Sequence, residues 1–185
     1  GFLPEAMLNY LARLGWSHGD EELFSREQLV AWFDGSHLAK SPAQWDPAKL
    51  AWVNAQYIKQ ADIKRLAGLV AEQLRGRGMV VDEAALCAQC ALFRDRCSTT
   101  VELADWLSMY AVAPQPSAED LAQHVTEAVR PAIASLRERL ATVDWQAPAI
   151  QQAFKDTLAE HKLKMPQLAV PVRVLVCGRP QTPSG

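Results

Sequence analysis

Apolar positions recur at helical rather than strand spacing along most of the chain. From Pro4, a run with Met7, Leu8, Leu11 and Leu14 on one side predicts a helix that ends near Gly15. Ser25-Arg-Glu-Gln28 has the form of a capping box, in which a hydroxyl and an amide side chain satisfy each other's backbone N–H groups. Leu29, Val30, Trp32 and Phe33 follow, and Gly35 is the expected stop. Asp46-Pro47 predicts another start: a capping carboxylate, then a residue preset to helical φ. Leu50, Val53, Tyr57 and Ile58 then fall at helical spacing. Asp62 opens the next helix, with Leu66, Leu69, Val70 and Leu74 inside it and Gly76-Arg77-Gly78 breaking it. Asp82 or Glu83 begins a further apolar helix, and Thr99 and Glu102 again have capping-box spacing.

Ala113-Pro-Gln-Pro-Ser117 reads as a linker. Ser117 caps a helix expected to run to about Arg130. Pro131 cannot continue it unkinked, so it begins the next, through Leu140. Asp144 to His161 predicts one more helix. Val170-Pro-Val-Arg-Val-Leu-Val176 stays open: its β-branched alternation favours a strand, whereas Pro166 permits a helix start, and a lone strand has nothing obvious to pair with. The expected fold is all-α, in consecutive helical subdomains with breaks near residues 61 and 114. No repeat at a fixed period is present.

Composition narrows the class. With 49% hydrophobic residues in 185, the chain is globular rather than mainly disordered. A net charge of −2 argues against a general polyanion binder but leaves room for a local basic face. From His161 to Gly185 the chain carries Lys162, Lys164, Arg173 and Arg179 and no carboxylate side chain. No stretch approaches the roughly 20 consecutive apolar residues that cross a bilayer. The first residues show no basic leader, so a cytoplasmic location without membrane contact is the expectation.

Cys87-Ala-Gln-Cys90 has metal-ligand spacing, but it lies in an apolar helical pattern and no second pair follows, so buried thiols rather than a metal are expected. No Gly-rich phosphate loop, Ser–His–Asp set or paired-carboxylate arrangement stands out, and no catalytic residue is assigned. The six tryptophans, Trp16, Trp32, Trp45, Trp52, Trp106 and Trp145, mostly sit among Leu and Val at helical spacing, which predicts core packing rather than base stacking.

Leu92-Phe-Arg-Asp-Arg-Cys-Ser-Thr-Thr-Val-Glu-Leu103 is harder to place. Arg94 and Arg96 stand at a helix joint, give nothing to a core and keep their charge at any physiological pH. The surrounding segments resemble one family, the bacterial glutamyl-tRNA synthetases. FLPEAMLNYLARLGWSHGDEELFS is similar to the segment that follows that family's catalytic domain. DPAKLAWVNAQYI resembles its helix beneath the tRNA stem, through Lys49-Leu50, Trp52, Asn54 and Tyr57-Ile58. RDRCSTTVEL resembles its first anticodon-domain signature. VPVRVLVCGRPQTPS resembles its second, with Pro171, Arg173, Gly178 and Thr182-Pro183 on matching positions. The family's HIGH-like and KMSKS-like ATP motifs do not occur here, and the helix that usually follows the Thr-Pro pair is missing, so the chain resembles an excised C-terminal part.

The resemblance implies a stem-contact region over 1–61 and two anticodon-binding helical subdomains over 62–114 and 115–185. It implies tRNA(Glu) as partner, with tRNA(Gln) as an alternative, and a catalytic domain in cis. ATP and magnesium (Mg) would belong to that domain, which would attach glutamate to the tRNA, and this chain would be a monomer without cofactor or catalysis. Arg96 would face the third anticodon base, cytosine in tRNA(Glu) and guanine in tRNA(Gln). Arginine offers only donors, and cytosine presents acceptors where guanine presents mainly donors. Arg173, Thr182, Arg94 and Arg179 would be further anticodon contacts, and Asn54, Lys59, Lys64 and Arg65 would meet the tRNA stem and backbone.

Plainer roles stand beside these. Arg94 can be solvated or paired with Asp95 or Glu102, and Asn54 can satisfy a buried backbone group. Arg173 can pack its stem on apolar surface. Lys59, Lys64 and Arg65 can be a solvated face, and the Pro-rich tail holding Arg179 and Thr182 can be disordered. The competing class is a helical protein-interaction scaffold without nucleic-acid binding.

Overall fold

A computed structural model describes residues 1–40 and 42–182 of the chain. Among them are ten α-helices, one 3₁₀ turn and no β-strand, with a single isolated antiparallel bridge between Trp16 and Leu38. The all-α expectation holds. The chain divides into two compact units, Gly1–Val112 and Ala113–Gly185.

The first unit contains α1 (Pro4–Gly15), α2 (Arg26–Trp32), α3 (Pro47–Gln60), α4 (Ile63–Gly76), α5 (Glu83–Phe93), the 3₁₀ turn Arg94–Arg96 and α6 (Thr100–Ala111). Local capping chemistry sets most of these starts. Ser25 and Gln28 form the full reciprocal box. Asp46, Asp62, Asp82 and Thr99 each accept from backbone N–H groups in the first turn of the helix they open. One core runs from Leu3 through Val53, Ile58, Leu66, Val70, Leu74, Leu86 and Cys90 to Leu103 and Leu107. Each fully buried leucine contributes about 1.5–3 kcal/mol by leaving water. The break expected near residue 61 falls inside this unit, and the core includes residues from both sides of it.

The second unit contains α7 (Ala118–His124), α8 (Arg130–Leu140), α9 (Ala147–His161) and α10 (Met165–Cys177). Its core is built on Val129, Ala132, Leu136, Ala153 and Leu168, with Ile133, Phe154 and Leu158 against it. Two helix limits differ from expectation. α7 stops at His124 instead of reaching Arg130, because a turn follows in which the Thr126 carbonyl accepts from both Val129 and Arg130. α9 starts at Ala147, not Asp144, with Pro148 in its first turn.

The open stretch 170–176 is helical, inside α10. The Gln167 side chain accepts from the Lys164 N–H at 2.7 Å, and Pro166 stands in the first turn. Leu168, Pro171 and Val174 are buried at a spacing of three, which a helix satisfies and a strand does not. With no strand among the described residues to pair with, local β-propensity yields to packing.

The tryptophans are the clearest correction. Trp16 is buried, but Trp45, Trp52 and Trp145 are 52%, 41% and 70% exposed. Trp52 lies across α3 from the buried face of Leu50, Val53, Asn54 and Ile58. Apolar neighbours in sequence did not mean neighbours in the core.

Candidate nucleic-acid interface

The joint between α3 and α4 holds Lys59, Lys64 and Arg65, three of the residues that the resemblance assigns to the tRNA stem. Lys59 is in the last turn of α3, where a cation is favoured by the helix dipole. Lys64 and Arg65 are in the first turn of α4, where the dipole gives a cation nothing. Lys59 and Lys64 are exposed, and neither has an ion-pair partner among the described residues. Arg65 differs: its two terminal nitrogens donate to the Glu5 oxygens at 2.5 and 3.0 Å. That pairing holds the Glu5 carboxyl below its ordinary range.

Asn54 is a correction. It is 0% exposed, and its side chain serves the fold. Its oxygen accepts from the Leu3 N–H at 2.8 Å, and its nitrogen donates to the Ser98 carbonyl at 2.5 Å and the Gly1 carbonyl at 3.4 Å. A side chain without surface cannot meet a tRNA stem. The plainer role, satisfying buried backbone groups, is the observed one.

The arginine turn, Arg94–Arg96, leaves α5 and returns to the buried Cys97. Arg94 is half-buried. Its Nη1 donates to the Ala61 carbonyl at 3.0 Å, at the C-terminal end of α3, and its Nε lies 3.9 Å from Asp95. Glu102 is engaged with the Ser98 N–H at 2.8 Å rather than with Arg94. Arg96 is exposed and makes no hydrogen bond or ion pair among the described residues. The Arg94 bond therefore sets the turn against the α3–α4 joint. Lys59, Lys64 and Arg96 remain there without carboxylate partners.

In the second unit, Arg173 is half-exposed on α10, and Arg179 is exposed just beyond Gly178. Both pull the Cys177 thiol pKa down against the larger upward push of burial, so both lie electrostatically close to it. Thr182 is half-buried, and Pro183 lies outside the described residues.

Sequence reasoning passed over Trp52 as a surface group. Lys49 Nζ lies 4.4 Å above its ring centre and also pairs with Glu22 at 2.6 Å. The signal was there: Trp52 and Lys59 are seven residues apart, on the side of α3 away from Leu50 and Val53.

The described residues assemble donors and cations, not an activated nucleophile. Cys87, Cys90, Cys97 and Cys177 are free thiols. Burial pushes Cys90 up to about 11 and Cys97 up to about 12, away from the thiolate that reaction requires.

Residues 50–185 match the family described as the anticodon binding domain. The chain is 61% identical to the glutamate–tRNA ligase of Leptothrix cholodnii and 58% identical to that of Paraburkholderia phytofirmans. Each alignment covers all of this chain and 40% of the relative. The chain thus spans about two fifths of the length of the curated relatives it matches. In structure it is similar to a glutamate tRNA ligase from Elizabethkingia meningosepticum, with TM-score 0.87 and 22% identity, over 99% of this chain and 37% of that one. At that identity the likeness speaks to the fold, which agrees. The match over residues 50–185 takes in the arginine turn and all of the second unit, and the chain belongs to the anticodon binding domain family.

Proposed function

We propose that the chain is the tRNA-binding part of a glutamate–tRNA ligase. Its first unit meets the inner tRNA stem and, with the second, the anticodon. The whole enzyme would attach glutamate to tRNA(Glu), using ATP and magnesium in a catalytic part that this chain does not supply. On this reading the chain alone binds tRNA and forms no glutamyl-adenylate.

The observation that carries this reading is local. In a chain of net charge −2, Lys59, Lys64 and Arg96 stand without carboxylate partners around one joint. Unneutralised donors suit a phosphate backbone, and an arginine held on a rigid turn suits a base edge. Binding of the chain to tRNA(Glu) and tRNA(Gln), compared side by side across a salt series, tests it. Tighter binding to tRNA(Glu), weakening linearly in log salt, is expected. Salt-insensitive binding, or none, overturns the reading. ATP–pyrophosphate exchange with glutamate should be absent.

One observation favours the scaffold reading. A groove of 640 Å³ in the first unit is lined by Ala12, Gly15, Trp16, Leu29, Val30, Phe33 and Leu38, with Val30 71% exposed. An apolar patch of this kind suits a protein surface. Tight, salt-insensitive association with a protein in place of tRNA would favour it.

A further inference from the structure

The two arginines of the turn do different work. We infer that Arg94 is a positioning residue: it fixes the aim of Arg96 by holding the turn to α3, and does not itself contact RNA. This rests on the proposed tRNA-binding function and assigns a role that the family match does not.

Helix α3 grips the turn on both sides of Arg96. Two residues before it, Arg94 Nη1 donates to the Ala61 carbonyl at 3.0 Å, one of the carbonyls a helix end leaves without an internal donor. Two residues after it, the Ser98 carbonyl accepts from Asn54 Nδ2 at 2.5 Å. The Ser98 N–H is fixed too, donating to Glu102 Oε2 at 2.8 Å. Arg96 lies midway, exposed and unbonded among the described residues, so its aim is set by backbone alone.

The two kinds of RNA contact respond differently to a loosened backbone. A hydrogen bond to a base edge tolerates only about 2.7–3.2 Å between heavy atoms. An exposed charge near a phosphate is felt over a Debye length of about 8–10 Å. Releasing Arg94 should therefore cost discrimination before it costs charge-driven affinity.

The test uses the whole chain and a glutamate tRNA whose third anticodon base is either C or G. The readouts are the affinity ratio between the two, the salt slope of each, and thermal unfolding. Arg94→Ala should lower the C-over-G ratio by at least about fivefold, the low end of one base contact, with the salt slope unchanged. Arg94→Lys, which keeps a donor able to reach the Ala61 carbonyl, should restore part of the ratio. It also keeps the test open if Arg94→Ala does not fold. An unchanged ratio, even with a lowered melting temperature, overturns the inference. So does equal weakening of both tRNAs with a slope shallower by about 0.7–0.9, the mark of a lost phosphate contact. The wild-type arm separates the two failures: a chain that does not bind tRNA removes the function reading and this inference together, whereas a chain that binds both tRNAs equally removes this inference alone.

Discussion

A Cβ placed on Gly178 would lie 2.8 Å from the Cβ of Pro114, closer than carbon atoms approach in folded proteins. Gly178 ends α10 in the left-handed region, with φ +76° and its N–H donating to the Val174 carbonyl. It thus meets two demands: the backbone angle and the space. Gly78 has nearly the same angle, φ +78°, with nothing within 4 Å of its Cβ position.

Gly78→Ala should therefore carry only the left-handed penalty of about 1–2 kcal/mol. Gly178→Ala should carry that plus an overpacking cost of about 1–3 kcal/mol. Pro114→Gly removes the facing atom, so the double variant Gly178→Ala/Pro114→Gly should recover part of the loss. Urea unfolding of the variants measures this. Equal losses for Gly78→Ala and Gly178→Ala would show that Pro114 moves aside at no cost.

Asn54→Ala takes the partner from the buried Leu3 N–H and from the part-buried Ser98 carbonyl. Each unsatisfied group costs about 1–3 kcal/mol, so the first unit should lose roughly 3 kcal/mol. The unfolding midpoint should fall with the slope unchanged. A variant as stable as wild type would return Asn54 to the surface.

These two residues show what a sequence can and cannot reveal. The caps at Ser25, Asp46, Asp62, Asp82, Thr99 and Ser117 were legible because the partner of each lies within three residues. The type of charge near the α3–α4 joint was legible too. Engagement was not, because the partners are remote: Arg65 meets Glu5 sixty positions away, Arg94 meets Ala61 across 33, and Asn54 meets Leu3 across 51. The same holds for Trp52 and for 170–176, where the face presented to the core decides the outcome and a segment's own composition does not.

Alkali should loosen the first unit through its thiols. Cys90 is raised to about 11 and Cys97 to about 12 in the folded chain, against about 8.5 when unfolded. The folded state keeps these protons where the unfolded state gives them up, so the stability is complete below about pH 8.5 and drains away as pH rises through 11–12. Tyr57, also raised by burial, acts in the same direction. Melting temperature should fall over pH 9–11, and Cys90→Ala should flatten that fall while lowering the plateau. An identical pH dependence in the variant removes Cys90 as a contributor.

Salt dependence should sort the cations of the joint. Lys59→Ala and Lys64→Ala should each make the slope of log affinity against log salt shallower by about 0.7–0.9, if each meets a phosphate. Arg65→Ala should change it less, because Glu5 already neutralises that guanidinium. Glu5→Gln should then free Arg65, strengthen tRNA binding and steepen the slope. A Glu5→Gln chain that binds no better than wild type would mean Arg65 points away from the RNA.

Base choice should rest on Arg96. Its guanidinium has only donors, which suit the acceptors of cytosine and oppose the donors of guanine. Arg96→Gln supplies a donor and an acceptor at the same exposed position, so it should accept either base and lose about 1–3 kcal/mol of discrimination. Arg96→Ala should also weaken tRNA(Glu). Arg77→Ala is the matched control: Arg77 is an arginine of the same unit, but its Nη1 is held by Asp105 at 2.6 Å. Affinities for tRNA(Glu) and tRNA(Gln) must be compared at one salt concentration, because salt alone moves both. If Arg96→Gln leaves their ratio untouched while Arg77→Ala behaves as wild type, the reader is another residue. Arg173, half-exposed on α10 and in no ion pair with a carboxylate among the described residues, is the next to replace.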